Sequence, residues 1–310
     1  MRALDALARA LAAVPRALTP LALLAAALGI VIPSSTLAAH SDLLLAVLVL
    51  ATALGISFAD LTRLRAHARA VMVLSLAPLP LLVAVAWLIG RPFAPIVRDG
   101  LLAVGLSSAE VASVGLVALA GADATIALGV VTGSLVVAAV AGPLVIGPLS
   151  GATVHVGTGG LLGRFALVVL VPLAVGVALR SRPAAGERLA RVDAQREGVA
   201  ALSVAVLVYA ALSGTRGAHH LGAALLASVA FLALCACAAE LWRRVDARRA
   251  SALPGAFTIA MRDFAVAAAL ATQAFGVGGG AVPGVYGVVM LVAAAIAAGR
   301  FQACRRPEMG

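Results

Sequence analysis

The sequence reads Phe257-Thr-Ile-Ala-Met-Arg262-Asp263-Phe264 near the middle of an otherwise apolar segment. Adjacent residues on a continuous helix point about 100° apart, so Arg262 and Asp263 would not face each other. A charged side chain at the centre of a membrane costs about 2.5–3.5 kcal/mol and normally faces a cavity or a partner. The stretch predicts either a helix interrupted at a polar site or a buried ion pair that only locks the fold.

A second stretch, Gly105-Leu-Ser-Ser-Ala-Glu-Val-Ala-Ser113, has the same character. It places small hydroxyl groups and the Glu110 carboxylate within an apolar segment. A helix break here would expose backbone amide donors at the start of the following helix, which makes an anion site or a polar hinge. We expect Glu110 to pair with Arg262 across the two interrupted helices. The alternative is that Glu110 lies near a membrane interface in a structural pair.

The composition around these stretches indicates a membrane protein. The chain has 310 residues, of which 63% are hydrophobic and 12% charged, and its mean hydropathy is +1.10; soluble domains carry about 25% charged residues. All 23 basic residues are arginine and aromatic residues are only 4%, so no basic surface with stacking rings is expected to bind nucleic acid. Without lysine there is no phosphate-binding Gly-x-x-x-x-Gly-Lys loop, which argues against an ATP-driven pump.

Ten segments are apolar and long enough to span a bilayer, which takes about 20 residues. Their predicted boundaries are 18–37, 43–60, 70–90, 96–119, 124–148, 160–179, 198–213, 220–241, 253–275 and 282–299. With the N-terminus in the cytoplasm, 18 arginines fall on the inside and 4 on the outside or at adjoining span ends, which obeys the positive-inside rule. We therefore expect a multi-pass protein of a bacterial-type inner (plasma) membrane, surrounded by lipid bilayer, with both termini cytoplasmic. The first segment is predicted to be a span and not a cleaved signal.

The glycine-rich stretch from Gly151 to Gly160 divides the chain into two predicted repeats, residues 1–155 and 156–310, with five spans each. An odd number of spans per half gives the halves opposite orientations, which is the inverted-repeat plan of many secondary transporters. The interrupted span is the fourth in each half. Interrupted spans at corresponding positions are the best sequence pointer to a transporter's binding site.

Three passages resemble the bile acid:sodium symporter family. Ala53-Leu-Gly-Ile-Ser-Phe-Ala-Asp60-Leu61 is similar to the family's Gly-Leu-x-Leu-x-x-x-Asp-Phe. The region from Gly105 to Pro143 is similar to Gly-x-x-Pro-Gly-Gly-Thr-Ala-Ser-Asn, then Leu-Ala-x-Gly-Asn/Asp, Ser and Pro, with these residues in register: Ala112-Ser113, Leu119-Ala120, Asp123, Ser134 and Pro143. The region from Thr258 to Pro283 is similar to Glu-x-Gly-x-Gln-Asn-x-x-Leu-Ala-x-x-Leu-Ala and then Val-Pro-Gly. The order and spacing of the three passages carry the resemblance.

The resemblance implies ten helices in a five-plus-five inverted repeat. A panel of the first, second, sixth and seventh helices would pack on a core of the others. The broken fourth and ninth helices would cross near mid-membrane, with an organic anion in a cavity beside the crossing and two sodium ions behind it. The family's sodium-serving glutamate falls at Thr258, its Gln-Asn falls at Arg262-Asp263, and the asparagine after Ser113 is Val114.

These departures make ordinary sodium coupling doubtful, because a fixed guanidinium repels a hard cation. Our hypothesis is that Arg262 permanently supplies the positive charge that sodium supplies in relatives, with Glu110 or Asp263 as its counter-ion. Coupling would then be absent, as in a uniporter or exchanger, or would run through protonation of a carboxylate.

The candidate substrate or ion-site residues are Glu110, Ser113, Thr258, Met261, Arg262 and Asp263, and, with weaker support, Ser107, Ser108 and Asp123. Asp123 is better explained as the N-cap of the next helix, a role that needs no function. No cofactor is expected, and no metal site, because no two histidines have ligand spacing on a common helix.

The function predicted from these features is secondary active transport of a small organic anion by alternating access. The alternatives are a sodium-coupled symporter with a rebuilt site, a channel or a sensor. An intramembrane enzyme is not expected, because no Gly-x-Gly-Asp or Gly-x-Ser-Gly context occurs. The oligomeric state is open.

Overall fold

The protein is helical in its computed structural model. The structure describes residues 2–150, 157–213, 220–246 and 249–305. No strand occurs within these ranges, so the predicted all-α class is confirmed. The α-helices in chain order are α1 (Arg2–Ala13), α2 (Leu18–Val31), α3 (Ser35–Ala39), α4 (Ser41–Ala53), α5 (Phe58–Arg63), α6 (Ala68–Leu76), α7 (Pro78–Gly90), α8 (Pro95–Leu106), α9 (Ala112–Leu119), α10 (Ala124–Leu149), α11 (Thr158–Phe165), α12 (Val171–Arg180), α13 (Pro183–Ala190), α14 (Asp193–Ser213), α15 (Leu221–Val245), α16 (Ala252–Ala260), α17 (Phe264–Phe275) and α18 (Ala281–Arg305).

Six helical stretches of the described chain are long and apolar enough to cross a membrane: Phe58–Gly90, Ala124–Leu149, Thr158–Arg180, Asp193–Ser213, Leu221–Val245 and Gly278–Ala298. Three apolar helices, α2, α4 and α17, are shorter. Large apolar side chains such as Leu24, Leu167 and Leu226 lie exposed on the outer surface, where lipid would cover them. The molecule is therefore a multi-pass membrane protein, and the count of ten spans stays a prediction.

Local sequence explains why several predicted spans are short helices. Helix α2 ends at Val31, because the residue before Pro33 is pushed out of the helical region. Helix α4 gives way to α5 at Ser57, whose hydroxyl accepts from the Asp60 backbone N–H while the Asp60 carboxylate accepts from the Ser57 N–H. This reciprocal capping box starts a new helix. Asp60, part of the family resemblance, thus stabilises a helix start.

The fourth and ninth predicted spans are each broken into two helices. Helices α8 and α9 are separated by residues 107–111, and α16 and α17 by residues 261–263. The predicted interruptions at Glu110 and at Arg262-Asp263 are therefore confirmed. The division into repeats at 155/156 stays a prediction, and part of that boundary (151–156) lies outside the described residues.

The two broken spans lie in the centre of the molecule. Every residue from Phe264 to Ala271 is buried, and most are alanine, whose small side chain lets neighbouring helices approach closely. Helices α8 and α18 pack on α17, while α14 packs on α2 and α4, and α12 on α4. The assignment of these helices to a panel and a core stays a prediction.

Candidate functional site at the helix crossing

The backbones of the two broken spans meet as a short antiparallel pair. Ala109 and Arg262 lie opposite each other in this pair. The Glu110 N–H donates to the Met261 carbonyl at 3.0 Å, and the Asp263 N–H donates to the Ser108 carbonyl at 2.9 Å. Polar backbone groups released by a helix break need such partners at membrane depth, where water is absent. The predicted crossing of the fourth and ninth spans is therefore present.

Two hydroxyl groups complete the backbone bonding at the crossing. The Ala109 N–H, which points away from the other broken span, donates to the Ser134 hydroxyl of α10 at 3.0 Å. The Arg262 N–H donates to the Tyr286 hydroxyl of α18 at 3.1 Å. Helices α10 and α18 correspond to the fifth and tenth predicted spans. In both cases the hydroxyl comes from the long helix that follows the broken span in the chain.

The antiparallel pairing determines which side each side chain takes. Alternate residues of an extended segment point to opposite faces, and directly opposed residues share a face. Ser108 and Asp263 therefore share one face, and the Ser108 Oγ lies 3.5 Å from the Asp263 Oδ2. Glu110 and Met261 flank this pair on the same face. Arg262 points to the other face.

The Asp263 carboxylate has two roles on its face. Its Oδ1 accepts from the Ala265 and Val266 N–H groups at 2.9 and 3.0 Å, which makes Asp263 the N-cap of α17. Asp263 also lines, together with Ser108, a narrow cavity closed by α4, α10 and α12. The cavity has about 20 Å³ of room for a water-sized body, enough for one water molecule. Helices α4 and α12 would have to move for a larger molecule to enter.

The Glu110 carboxylate is buried beside Asp263. Only 7% of each residue is exposed, and Glu110 is in electrostatic contact with Asp263. Within the described residues the Glu110 Oε2 has no hydrogen-bond partner. Two acidic groups therefore lie together on the cavity side of the crossing.

The Arg262 side chain lies behind the crossing, 4% exposed, where it faces Cys235 of α15 and Tyr286. No carboxylate oxygen of the described residues comes within 4.0 Å of its side-chain nitrogens, and its Nε has no hydrogen-bond partner there. The predicted Glu110–Arg262 ion pair is wrong for this structure. The reason is geometric, because the two residues leave the extended pair on opposite faces.

The remaining predicted site hydroxyls bond mainly to their own helices. Ser107 donates to the Val104 carbonyl and Ser113 to the Glu110 carbonyl, both within three residues. The Thr258 hydroxyl lies within hydrogen-bond distance of the carbonyls of Pro254 and Gly255, one turn earlier in α16. These groups, all buried, lie at or next to the crossing and satisfy the backbone around the break.

Asp123 lies away from the crossing, between α9 and α10. Its Oδ1 accepts from the Thr125 N–H at 2.8 Å, so the N-cap alternative accounts for this residue. Its Oδ2 also lies 3.7 Å from the His67 Nε2. Asp123 is not part of the group of residues that the crossing brings together.

A wider cavity lies at the end of the molecule where α16 begins. It has about 470 Å³ of room and is lined by His67, Asp246 and Arg249, among others. His67 pairs with Asp123, and Arg249 pairs with Asp246 at 3.2 Å. Arg69 also lines this cavity but is exposed. Among the described residues, the buried charged groups without an ion pair are Glu110, Arg262 and Asp263, so we assign the candidate site to the crossing.

Sequence reasoning did not foresee two parts of this arrangement. The first is Tyr286, one of only two tyrosines in the chain. Its hydroxyl lies inside an apolar span and needs a hydrogen-bond partner when buried, which could have marked it as a site residue. The second part is a polar link at the far end of α17, where Gln273 Nε2 donates to Asp42 Oδ1 at 2.9 Å and Arg164 Nε lies 2.9 Å from Asp42 Oδ2. This link joins α4, α11 and α17 and had no sequence signal.

Comparison with known proteins agrees with the geometry. The profile of the SBF-like CPA transporter family, which is related to the bile acid:sodium symporters, matches residues 21–302. A search among curated proteins gave no match. The family match spans both broken helices and the helices that support them. The chain therefore belongs to the SBF-like CPA transporter family and is a membrane transporter of the bile acid symporter type.

Proposed function

We propose that this protein is a secondary transporter that moves a small organic anion by alternating access at the crossing, without the usual sodium coupling. We further propose that it lies in a bacterial-type inner membrane with both termini in the cytoplasm, from the distribution of its arginines. Membership of the family alone leaves open the substrate class, the coupling ion and the orientation in the membrane.

One observation carries the proposal, the burial of Arg262 behind the crossing. The family resemblance implies sodium behind the crossing. A guanidinium is always charged and has five donors and no acceptor, so it repels sodium and cannot ligate it. The family's sodium-serving glutamate falls at Thr258, so the anionic oxygen that the resemblance would place near sodium is replaced by a neutral hydroxyl. The buried guanidinium and the replaced glutamate support the proposal that Arg262 takes the role of a fixed positive charge in place of sodium.

The anion assignment rests on the positive potential at the crossing. Helices α9 and α17 both begin there, and a helix N-terminus carries about half a positive charge. Arg262 adds a full positive charge behind the pair, at a depth where water does not screen it. A small anion in an opened cavity would be attracted by this field once the Glu110 and Asp263 carboxyl groups are not both ionised, although Arg262 does not line the cavity.

The test is an uptake screen in proteoliposomes with lactate, succinate, benzenesulfonate and taurocholate, in which sodium and pH are varied independently. We expect uptake of at least one anion, unchanged when choline replaces sodium. Uptake that requires sodium would overturn the coupling proposal in favour of a symporter with a rebuilt site. Currents far above carrier turnover would indicate a channel, and no uptake of any anion would remove the anion proposal.

A further inference from the structure

The cavity side of the crossing carries the acidic groups and not the basic one. Asp263 and Ser108 line the cavity, Glu110 lies beside Asp263, and Arg262 is on the opposite face. An anion that enters the cavity therefore meets carboxyl groups first. If both were ionised, they would repel it at short range in a medium that screens little.

The net charge of the crossing also favours a bound proton. The crossing buries one guanidinium and two carboxyl groups, so it has a net charge of −1 when all three are ionised. Buried net charge is strongly disfavoured, and two neighbouring carboxyl groups tend to share one proton. A single proton makes the crossing neutral.

The hydrogen bonds indicate which carboxyl group holds this proton. The Asp263 Oδ1 accepts two backbone N–H bonds, which favour its ionised form. The Glu110 carboxyl group also accepts from the backbone N–H groups of Val111 and Ala112. Its Oε2, however, has no partner among the described residues, whereas both Asp263 oxygens have one. A proton on this oxygen removes the uncompensated charge without breaking a hydrogen bond of the described structure.

Within the described part of the chain, few other titratable groups face Glu110. Asp263 faces Glu110 from the opposite broken span, and the Tyr286 hydroxyl faces it from α18. Arg262 lies behind the crossing, where it interacts electrostatically with Cys235 and Asp263. Helices α4, α10 and α12 contribute only threonines and apolar residues to the cavity wall.

We propose that Glu110 is a proton-binding residue whose protonation is required for an anion to occupy the cavity, so that anion and proton cross together. The proton comes from water on the loading side, forms the O–H bond of the Glu110 carboxyl group, and returns to water when the anion leaves. A monovalent anion and one proton then move no net charge. This inference rests on the proposed function and adds the coupling ion and its residue.

The first test needs no substrate. Infrared spectroscopy of the purified protein near neutral pH detects the C=O stretching band of a protonated carboxyl group. We expect a band that Glu110→Gln removes and that the matched control Glu187→Gln, an exposed residue of α13, leaves intact. Incorporation of isotope-labelled glutamate should shift the band in the wild-type protein, so the result does not depend on the folding of a variant. A wild-type protein without a glutamate-derived band would overturn the proposal.

The second test uses whichever of the four screened anions is taken up. Wild-type uptake should rise with an inward proton gradient and fall about tenfold per pH unit once Glu110 is mostly ionised, because its protonated fraction falls by that factor. In Glu110→Gln the gradient should no longer stimulate uptake, while Glu187→Gln behaves like wild type. Proton stimulation that survives in Glu110→Gln would refute the inference, yet sodium-independent anion uptake would still support the proposed function.

Discussion

The hydroxyl groups of Ser134 and Tyr286 should hold the crossing together, and their removal is the sharpest test of its geometry. Ser134→Ala and Tyr286→Phe each leave one buried backbone N–H without its acceptor, on Ala109 and Arg262 respectively. Such a loss costs about 1–3 kcal/mol. The two bonds act on directly opposed residues, so their effects should be coupled and not additive.

The assay is thermal unfolding of the purified protein in detergent. One kcal/mol shifts the melting temperature by about 2–4 °C in chains of 150–250 residues, so each variant should melt about 4 °C below wild type. Ser228→Ala is the matched control, because Ser228 is buried in α15 and its hydroxyl has no partner among the described residues. Equal melting temperatures for Ser134→Ala and Ser228→Ala would refute the reasoning.

Two further predictions concern how the broken spans are held by their neighbours. Asp42→Ala removes the acceptor for Gln273. Hydrogen exchange should therefore become faster in α4 and at the end of α17 but not in α15. Unchanged exchange in α17 would show that the Asp42–Gln273 bond does not stabilise the end of this helix. Gly287→Ala places a methyl group against the Phe264 ring at the start of α17 and should cost about 1–3 kcal/mol by overpacking. The control Gly222→Ala meets no atom within 4 Å, and equal melting of the two variants would contradict the close approach of α18.

The two interruptions could be predicted from the sequence because charged residues in an apolar span are costly and therefore conspicuous. The N-cap role of Asp123 was likewise open to prediction, since the signal is local. The faces taken by Glu110 and Arg262 were not. They depend on which residues oppose each other in the extended pair, and a slip of one residue would reverse them.

Other parts of the site depend on contacts between residues distant in the sequence. The Asp42–Gln273 bond joins positions 231 residues apart, and no periodic pattern connects them. The Tyr286 hydroxyl accepts from a backbone N–H, which any residue except proline would offer at position 262. Such contacts are fixed by helix packing, so local sequence patterns do not encode them.

The most direct test of the central claim is the behaviour of Arg262 variants in sodium-independent uptake. Two unit charges separated by about 8 Å interact by about 2 kcal/mol at an effective dielectric constant of about 20, which corresponds to about a 30-fold change in affinity. We expect Arg262→Ala to lose at least this much apparent affinity, Arg262→Lys to retain part of it, and the exposed Arg191→Ala to match wild type. Full activity of Arg262→Ala, with unchanged dependence on sodium, would contradict the account.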